Sequence, residues 1–267
     1  MICNIKDASI YYEEHGEGIP VLCIHGFPVD HRLMSGCLEP VFSGLTGYKR
    51  IYLDLPGMGK SSAPAWLKDI NGMLDIVIAF VDEVIGDGNF LVIGESYGGR
   101  ITQGLIHTMG HRLDGAFLLC SAFDADASKR ILPKHRVLRK DDGLLASKQF
   151  MEIAVVATSR VYELFNKDTL KGLQSGDTEF LDRHRKEGFR FSFEDELKNL
   201  YFDRPTTILA GRQDHMAGYD AAYKMLENFP RATFAVLDCA GHLLQIENEA
   251  LFAAHVKDWL QRISYGL

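Results

Sequence analysis

Short apolar runs alternate along the chain with longer stretches in which apolar residues recur every three or four positions. Residues 10–12, 21–24, 51–53, 90–93, 116–119, 207–209 and 234–237 form the short runs. Their near-continuous apolarity predicts strands covered on both faces. Between them Ile70, Met73, Leu74, Val77, Phe80, Val81, Val84 and Ile85 repeat at helical spacing, as do Leu251, Phe252, Val256 and Leu260 near the carboxyl end. Strands alternating with amphipathic helices predict an α/β fold built on a largely parallel sheet.

The rhythm breaks from Ser121 to about Tyr201, where no buried strand is evident and charges crowd together, as in KRILPKHRVLRKDD. This stretch reads as a helical insertion. It divides the chain into a core of residues 1–122 and 202–267 and a cap of residues 123–201. The strand rhythm resumes at Pro205, which puts the cap over the carboxyl edge of the sheet, where open α/β folds bind ligands.

Length and charge narrow the class. A chain of 267 residues suits one large α/β domain with a modest insertion. With 29 Lys and Arg against 36 Asp and Glu, the net charge of -7 lacks the basic excess that nucleic acid binding needs. Five cysteines without a CxxC pair predict reduced thiols. The amino terminus has no apolar signal core and no later stretch is long and apolar enough to span a bilayer, so the expectation is a cytoplasmic protein with no stable membrane association.

The most specific chemistry lies in Gly94-Glu95-Ser96-Tyr97-Gly98, which follows the strand-like LVI and precedes the helical run RITQGLIH. A serine on a sharp strand-to-helix turn needs glycines two residues to either side, because side chains there would collide. The helix that begins at the turn aims its free N–H groups at the site, favouring the negative charge of acyl transfer. Such a serine needs a base and an orienting acid. Asp214 in AGRQD and His242 in AGH each follow a predicted strand, in the order Ser, Asp, His. Near the amino end a strand is followed by His25-Gly26-Phe27-Pro28, where a second oxyanion donor belongs. The Phe27 and Tyr97 N–H groups are the candidate oxyanion donors.

These segments, together with Asp54-Leu55-Pro56-Gly57-Met58-Gly59-Lys60-Ser61, resemble the α/β-hydrolase superfamily across the whole core. The resemblance implies an eight-stranded, mostly parallel sheet with helices on both faces, an inserted helical cap, a catalytic Ser96-Asp214-His242 triad, a backbone oxyanion hole and no cofactor. The His-Gly-Phe-Pro segment is similar to that of the epoxide hydrolase and dehalogenase branch, whose members carry aspartate where this chain has Ser96. The expected substrate is therefore a small to medium carboxylic ester. Hydrolysis of a carbon–carbon bond in a dienoate-like ketone, of an amide or of a thioester stays open. So does a triad-bearing ligand sensor with little turnover.

Other residues carry weaker signals. Phe150, Met151, Ile153, Val155, Val156, Tyr162 and Phe165 could supply an apolar ceiling to the pocket, with Phe150, Met151 and Phe165 the leading choices. His25 and His215 are candidate pocket residues, His25 with a structural hydrogen-bonding role. Gly59-Lys60-Ser61 imitates the end of a P-loop, but Asp54 stands where that pattern requires glycine. His107 and His111 have a zinc-like spacing, yet Thr108 occupies the glutamate place of H-E-x-x-H and Gly110 ends the helix, so no metal is expected. Asp124 and Asp126 are alternative acids after the strand AFLLC. Cys120 and Cys239 read as packing residues, and the basic run 129–140 as a solvated helix face.

Overall fold

A computed structural model describes residues 1–266. Eight strands form one sheet: β1 (Ile2–Ile5), β2 (Ala8–His15), β3 (Ile19–Ile24), β4 (Tyr48–Leu53), β5 (Phe90–Glu95), β6 (Leu113–Leu119), β7 (Thr206–Gly211) and β8 (Ala232–Leu237). Their order is β1-β2-β4-β3-β5-β6-β7-β8. The β1/β2 and β2/β4 pairs are antiparallel and the rest parallel. Strand β1 escapes the apolar pattern because it is a short edge strand with one buried residue, Cys3. Lys6 and Asp7, both at positive φ (47° and 62°), turn it tightly into β2.

The central strands are apolar throughout because the pleat sends alternate residues into two separate cores. Leu22, Ile24, Val92, Ala116 and Leu118 face one core, where helices α2 (Ile70–Val84) and α3 (Tyr97–Met109) lie. Val21, Cys23, Leu91, Ile93, Phe117 and Leu119 face the other, closed by α1 (His31–Phe42) and α5 (Glu249–Ser264). Asp69 caps α2 by accepting the N–H groups of Asn71 and Gly72. Phe252, Val256, Trp259 and Leu260 are the buried stripe of α5; Leu251, expected there, is exposed, and Trp259 takes the central place. No described helix is long and apolar enough to cross a membrane.

The segment between β6 and β7 is less helical than its sequence suggests. The basic run 129–140 forms no helix: a single turn (Ala127–Lys129) precedes mostly exposed irregular chain. Two-residue strands at Arg139–Lys140 and Val156–Ala157 pair in parallel. Helix follows at Ser159–Leu164 and continues through a π-helical turn (Phe165–Leu170) into Lys171–Leu173. Helix α4 (Thr178–Glu187) is capped by Asp177, which accepts the Phe180 N–H.

Four of the five cysteines are buried and all are free. Cys239 differs from the expected packing residue, being exposed with its thiol directed at Asp238.

Candidate active site

Ser96 lies at the junction of β5 and α3 with φ 51° and ψ −110°, a conformation that costs a residue with a side chain about 1–3 kcal/mol. The surrounding glycines make it possible. A Cβ on Gly94 would come within 2.4 Å of the Gly98 carbonyl oxygen, and one on Gly98 within 2.2 Å of that of Ile24. The turn therefore closes against β3 with no room for side chains, which forces the Ser96 side chain outward.

His242 and Asp214 reach Ser96 from the ends of the two strands beyond β6. Nε2 of His242 accepts the Ser96 hydroxyl at 3.0 Å, and its Nδ1–H donates to Oδ2 of Asp214 at 2.9 Å. The other Asp214 oxygen accepts the Met216 and Ala217 N–H groups at 2.8 and 3.0 Å. Burial alone would raise the Asp214 pKa, but the His242 charge and hydrogen bond, with these two amides, hold it below the usual carboxylate value. Burial likewise opposes a charge on His242. Asp214 first, and then Glu95, outweigh it and raise His242 to about 9.

Glu95 was not singled out by the sequence. Its Oε1 lies 3.5 Å from His242 Nε2, on the same side of the ring as Ser96, and its side chain is buried. Burial raises its pKa to about 7. A Cβ on Gly26 would meet Glu95 Oε2 at 2.2 Å, so the glycine of His25-Gly26 makes room for this carboxylate. The imidazole thus touches two acids and one hydroxyl.

A cavity of about 290 Å³ opens beside Ser96 and His242, near the small end of ligand sites. Phe27, Pro28, Tyr97, Ala122, Phe189, Met216 and Ala217 supply its apolar and backbone walls, and Arg100, Arg130 and Arg185 its charges. Tyr97 is the first residue of α3, so its N–H has no intrahelical acceptor. The Tyr97 hydroxyl donates to His184 Nε2 at 2.7 Å, while the His184 Nδ1–H reaches the Lys68 carbonyl at 3.1 Å. This link ties α4 to the serine turn.

The structure puts the other expected pocket residues elsewhere. Phe150 and Phe165 are fully buried and Met151 partly so, in a separate cluster with Leu243 and Ile246; none lines the cavity. They turn into this cluster because its other apolar side chains, among them Val161, Leu164, Leu243 and Ile246, bury them better there than a 290 Å³ cavity could. Phe189 and the arginines of the same segment face Ser96 instead. His25 is buried; its Nδ1–H donates to the Gly26 carbonyl at 2.7 Å and its Nε2 accepts the Leu55 N–H at 2.9 Å, joining two loops below the cavity. His215 packs against His135 with the rings tilted by 53° and their centroids 4.6 Å apart, and does not line the cavity.

Asp126 caps the turn after it, and Asp124 accepts the Asp126 N–H; neither contacts His242. His107 stacks on Phe193 and faces Glu196, whereas His111 lies beyond the end of α3, so the two do not share a helix face. Among the described residues Asp30, His31 and Asp54 lie close enough to share an ion. Their oxygens are already engaged: Asp54 accepts the His31 backbone and ring N–H groups and the Lys60 N–H, and Asp30 pairs with Arg32. The Asp54–Ser61 stretch is thereby a structural brace, with Ser61 donating to the Asp54 carbonyl and accepting the Tyr11 N–H.

Glu247, also missed, accepts the N–H groups of Gly241 at 2.6 Å and of Val155 and Val156 at 2.6 and 3.1 Å. One half-buried carboxylate thus joins the His242 loop to the inserted segment.

Known proteins share this arrangement of chain. The sequence profile of the alpha/beta hydrolase fold matches residues 19–249. A crystal structure of an alpha/beta superfamily hydrolase from Oenococcus oeni PSU-1 superposes with a TM-score of 0.89 at 29% identity over 96% of each chain. A pimeloyl-[acyl-carrier protein] methyl ester esterase of Legionella pneumophila is 22% identical over 95% of this chain and its own full length. A 2-hydroxy-6-oxononadienedioate/2-hydroxy-6-oxononatrienedioate hydrolase of Burkholderia vietnamiensis is 24% identical over 81% of this chain and 77% of its own. The profile match across both halves of the sheet, on a sheet of this order with a serine at its central turn, means that the chain belongs to the α/β-hydrolase fold family.

Proposed function

We propose that the protein is a serine hydrolase that cleaves a small to medium carboxylic ester through an acyl-enzyme on Ser96. The observation that carries this reading is the unbroken hydrogen-bond chain from Ser96 through His242 to Asp214 at the wall of a cavity. His242 removes the serine proton as Ser96 Oγ attacks the acyl carbon; Asp214 orients the ring and stabilises the imidazolium. The Phe27 and Tyr97 N–H groups receive the oxyanion. The imidazolium then protonates the leaving alcohol, and water releases the acyl group by the same steps. The segment between β6 and β7 acts as a cap over the acyl side.

A fluorophosphonate probe is expected to modify Ser96 stoichiometrically, with Ser96→Ala abolishing both labelling and turnover of acyl p-nitrophenyl esters. An adduct on Ser121 or on a cysteine, with Ser96 untouched, defeats the assignment. Similarity to the dienedioate hydrolase supports a second reading, carbon–carbon hydrolysis of a dienoate-like ketone by the same residues. Turnover of such a ketone well above that of every ester tested would favour it.

A further inference from the structure

The cavity beside Ser96 is lined by three arginines and by no aspartate or glutamate, in a chain whose net charge is -7. Such a local reversal of sign focuses a positive potential where a substrate enters. The three cations are not equally free. Arg100 is buried, paired with Glu194 and bonded through Nη1 to Gln103, although its Nε–H has no acceptor. Arg185 lies over the Phe27 ring, 5.3 Å from its centroid, with an exposed contact to Asp182.

Arg130 differs from both. Its Nε–H and Nη1–H donate to the carbonyls of Asp124 and Met216 at 2.9 and 3.1 Å, and it forms no ion pair with a described residue. Two backbone carbonyls fix the plane of the guanidinium without cancelling its charge, and Nη2 is left for a ligand. A guanidinium so held is suited to a planar carboxylate. Burial lowers its pKa from the ordinary value, with the charges of Asp124, Asp214 and Asp126 opposing, yet arginine stays charged at any working pH.

We infer that the natural substrate carries a carboxylate besides its scissile acyl group, held in this cavity by Arg130 with Arg185 and Arg100 around it. The inference rests on Ser96 being the nucleophile. It assigns to the basic run 129–140 a binding residue, where its sequence reads as a solvated face.

Matched substrates test it. On the acyl side, the p-nitrophenyl monoester of glutarate is compared with p-nitrophenyl valerate; on the alcohol side, 3-acetoxybenzoate is compared with phenyl acetate. The expected result is a higher kcat/KM for the charged member of at least one pair, falling with added salt. Arg130→Gln should reduce that charged-to-neutral ratio about tenfold to a hundredfold, the loss of a charge-assisted hydrogen bond, and Arg130→Lys should restore part of it. Fluorophosphonate labelling of Ser96 in each variant checks that the fold and nucleophile are intact. Turnover with no charged preference in either pair, or a preference that survives in a labelled Arg130→Gln protein, overturns the inference while leaving the hydrolase reading standing. Failure of Ser96 to label in the unaltered protein, with no ester turned over, defeats the hydrolase reading and this inference with it.

Discussion

The second carboxylate at His242 makes a quantitative prediction. Glu95 Oε1 is 3.5 Å from Nε2, the nitrogen that must accept the serine proton. An ionised Glu95 favours the imidazolium and so withholds the base, whereas Glu95→Gln keeps the size and removes the charge. At 3.5 Å two unit charges interact by about 1.2 kcal/mol in water and about 4.7 kcal/mol at an effective dielectric of 20. One pH unit corresponds to about 1.4 kcal/mol, so these limits put the fall in the His242 pKa at roughly one to three and a half units. The other charges facing the ring, Asp214 and Arg130, are unchanged by the substitution. With Glu95 present His242 is raised to about 9, so kcat/KM for a neutral ester should rise with pH along a limb centred near that value. In Glu95→Gln the limb should move to lower pH, making the variant more active than the parent near pH 7. The assay is kcat/KM for p-nitrophenyl acetate from pH 5 to 10, corrected with Ser96→Ala for spontaneous hydrolysis. A limb that stays within a few tenths of a unit, or moves to higher pH, refutes the coupling.

Asp214→Asn should lower ester turnover by about four orders of magnitude, because the amide neither holds the His242 tautomer nor stabilises its charge, while Asp124→Asn and Asp126→Asn should change it little; the reverse ranking in steady-state kinetics would move the acid. Phe150→Ala should cost about 3–5 kcal/mol of stability in denaturant melts and leave the preferred acyl chain length unaltered, since Phe150 packs away from the cavity. Phe189→Ala, which enlarges the cavity itself, should shift that preference toward longer chains; an unchanged profile across an ester series would remove Phe189 from the pocket wall.

What was legible in the sequence is what contiguous residues dictate. All seven apolar runs lie within strands of the sheet; the five in its central strands are buried throughout because a doubly covered strand has no polar face, while those in β2 and β8 are only partly buried. The serine turn was legible because its geometry is a local steric demand, met by Gly94 and Gly98 on either side of Ser96. Asp214 and His242 were legible because each follows a strand, and parallel strands end on one edge. Tertiary packing alone decided the rest. Strand β1 has too little buried surface to write a pattern, and its place comes from pairing with β2. Which face of the inserted segment looks inward follows from competition between two apolar environments; Phe150 and Phe165 went to the larger one, and Phe189 and Arg130 were left to the cavity. Glu95 and Glu247 carry no signature in one dimension. A glutamate in a sequence reads as solvated, and only the folded chain buries Glu95 against His242 and half-buries Glu247 against the backbone amides of Gly241, Val155 and Val156.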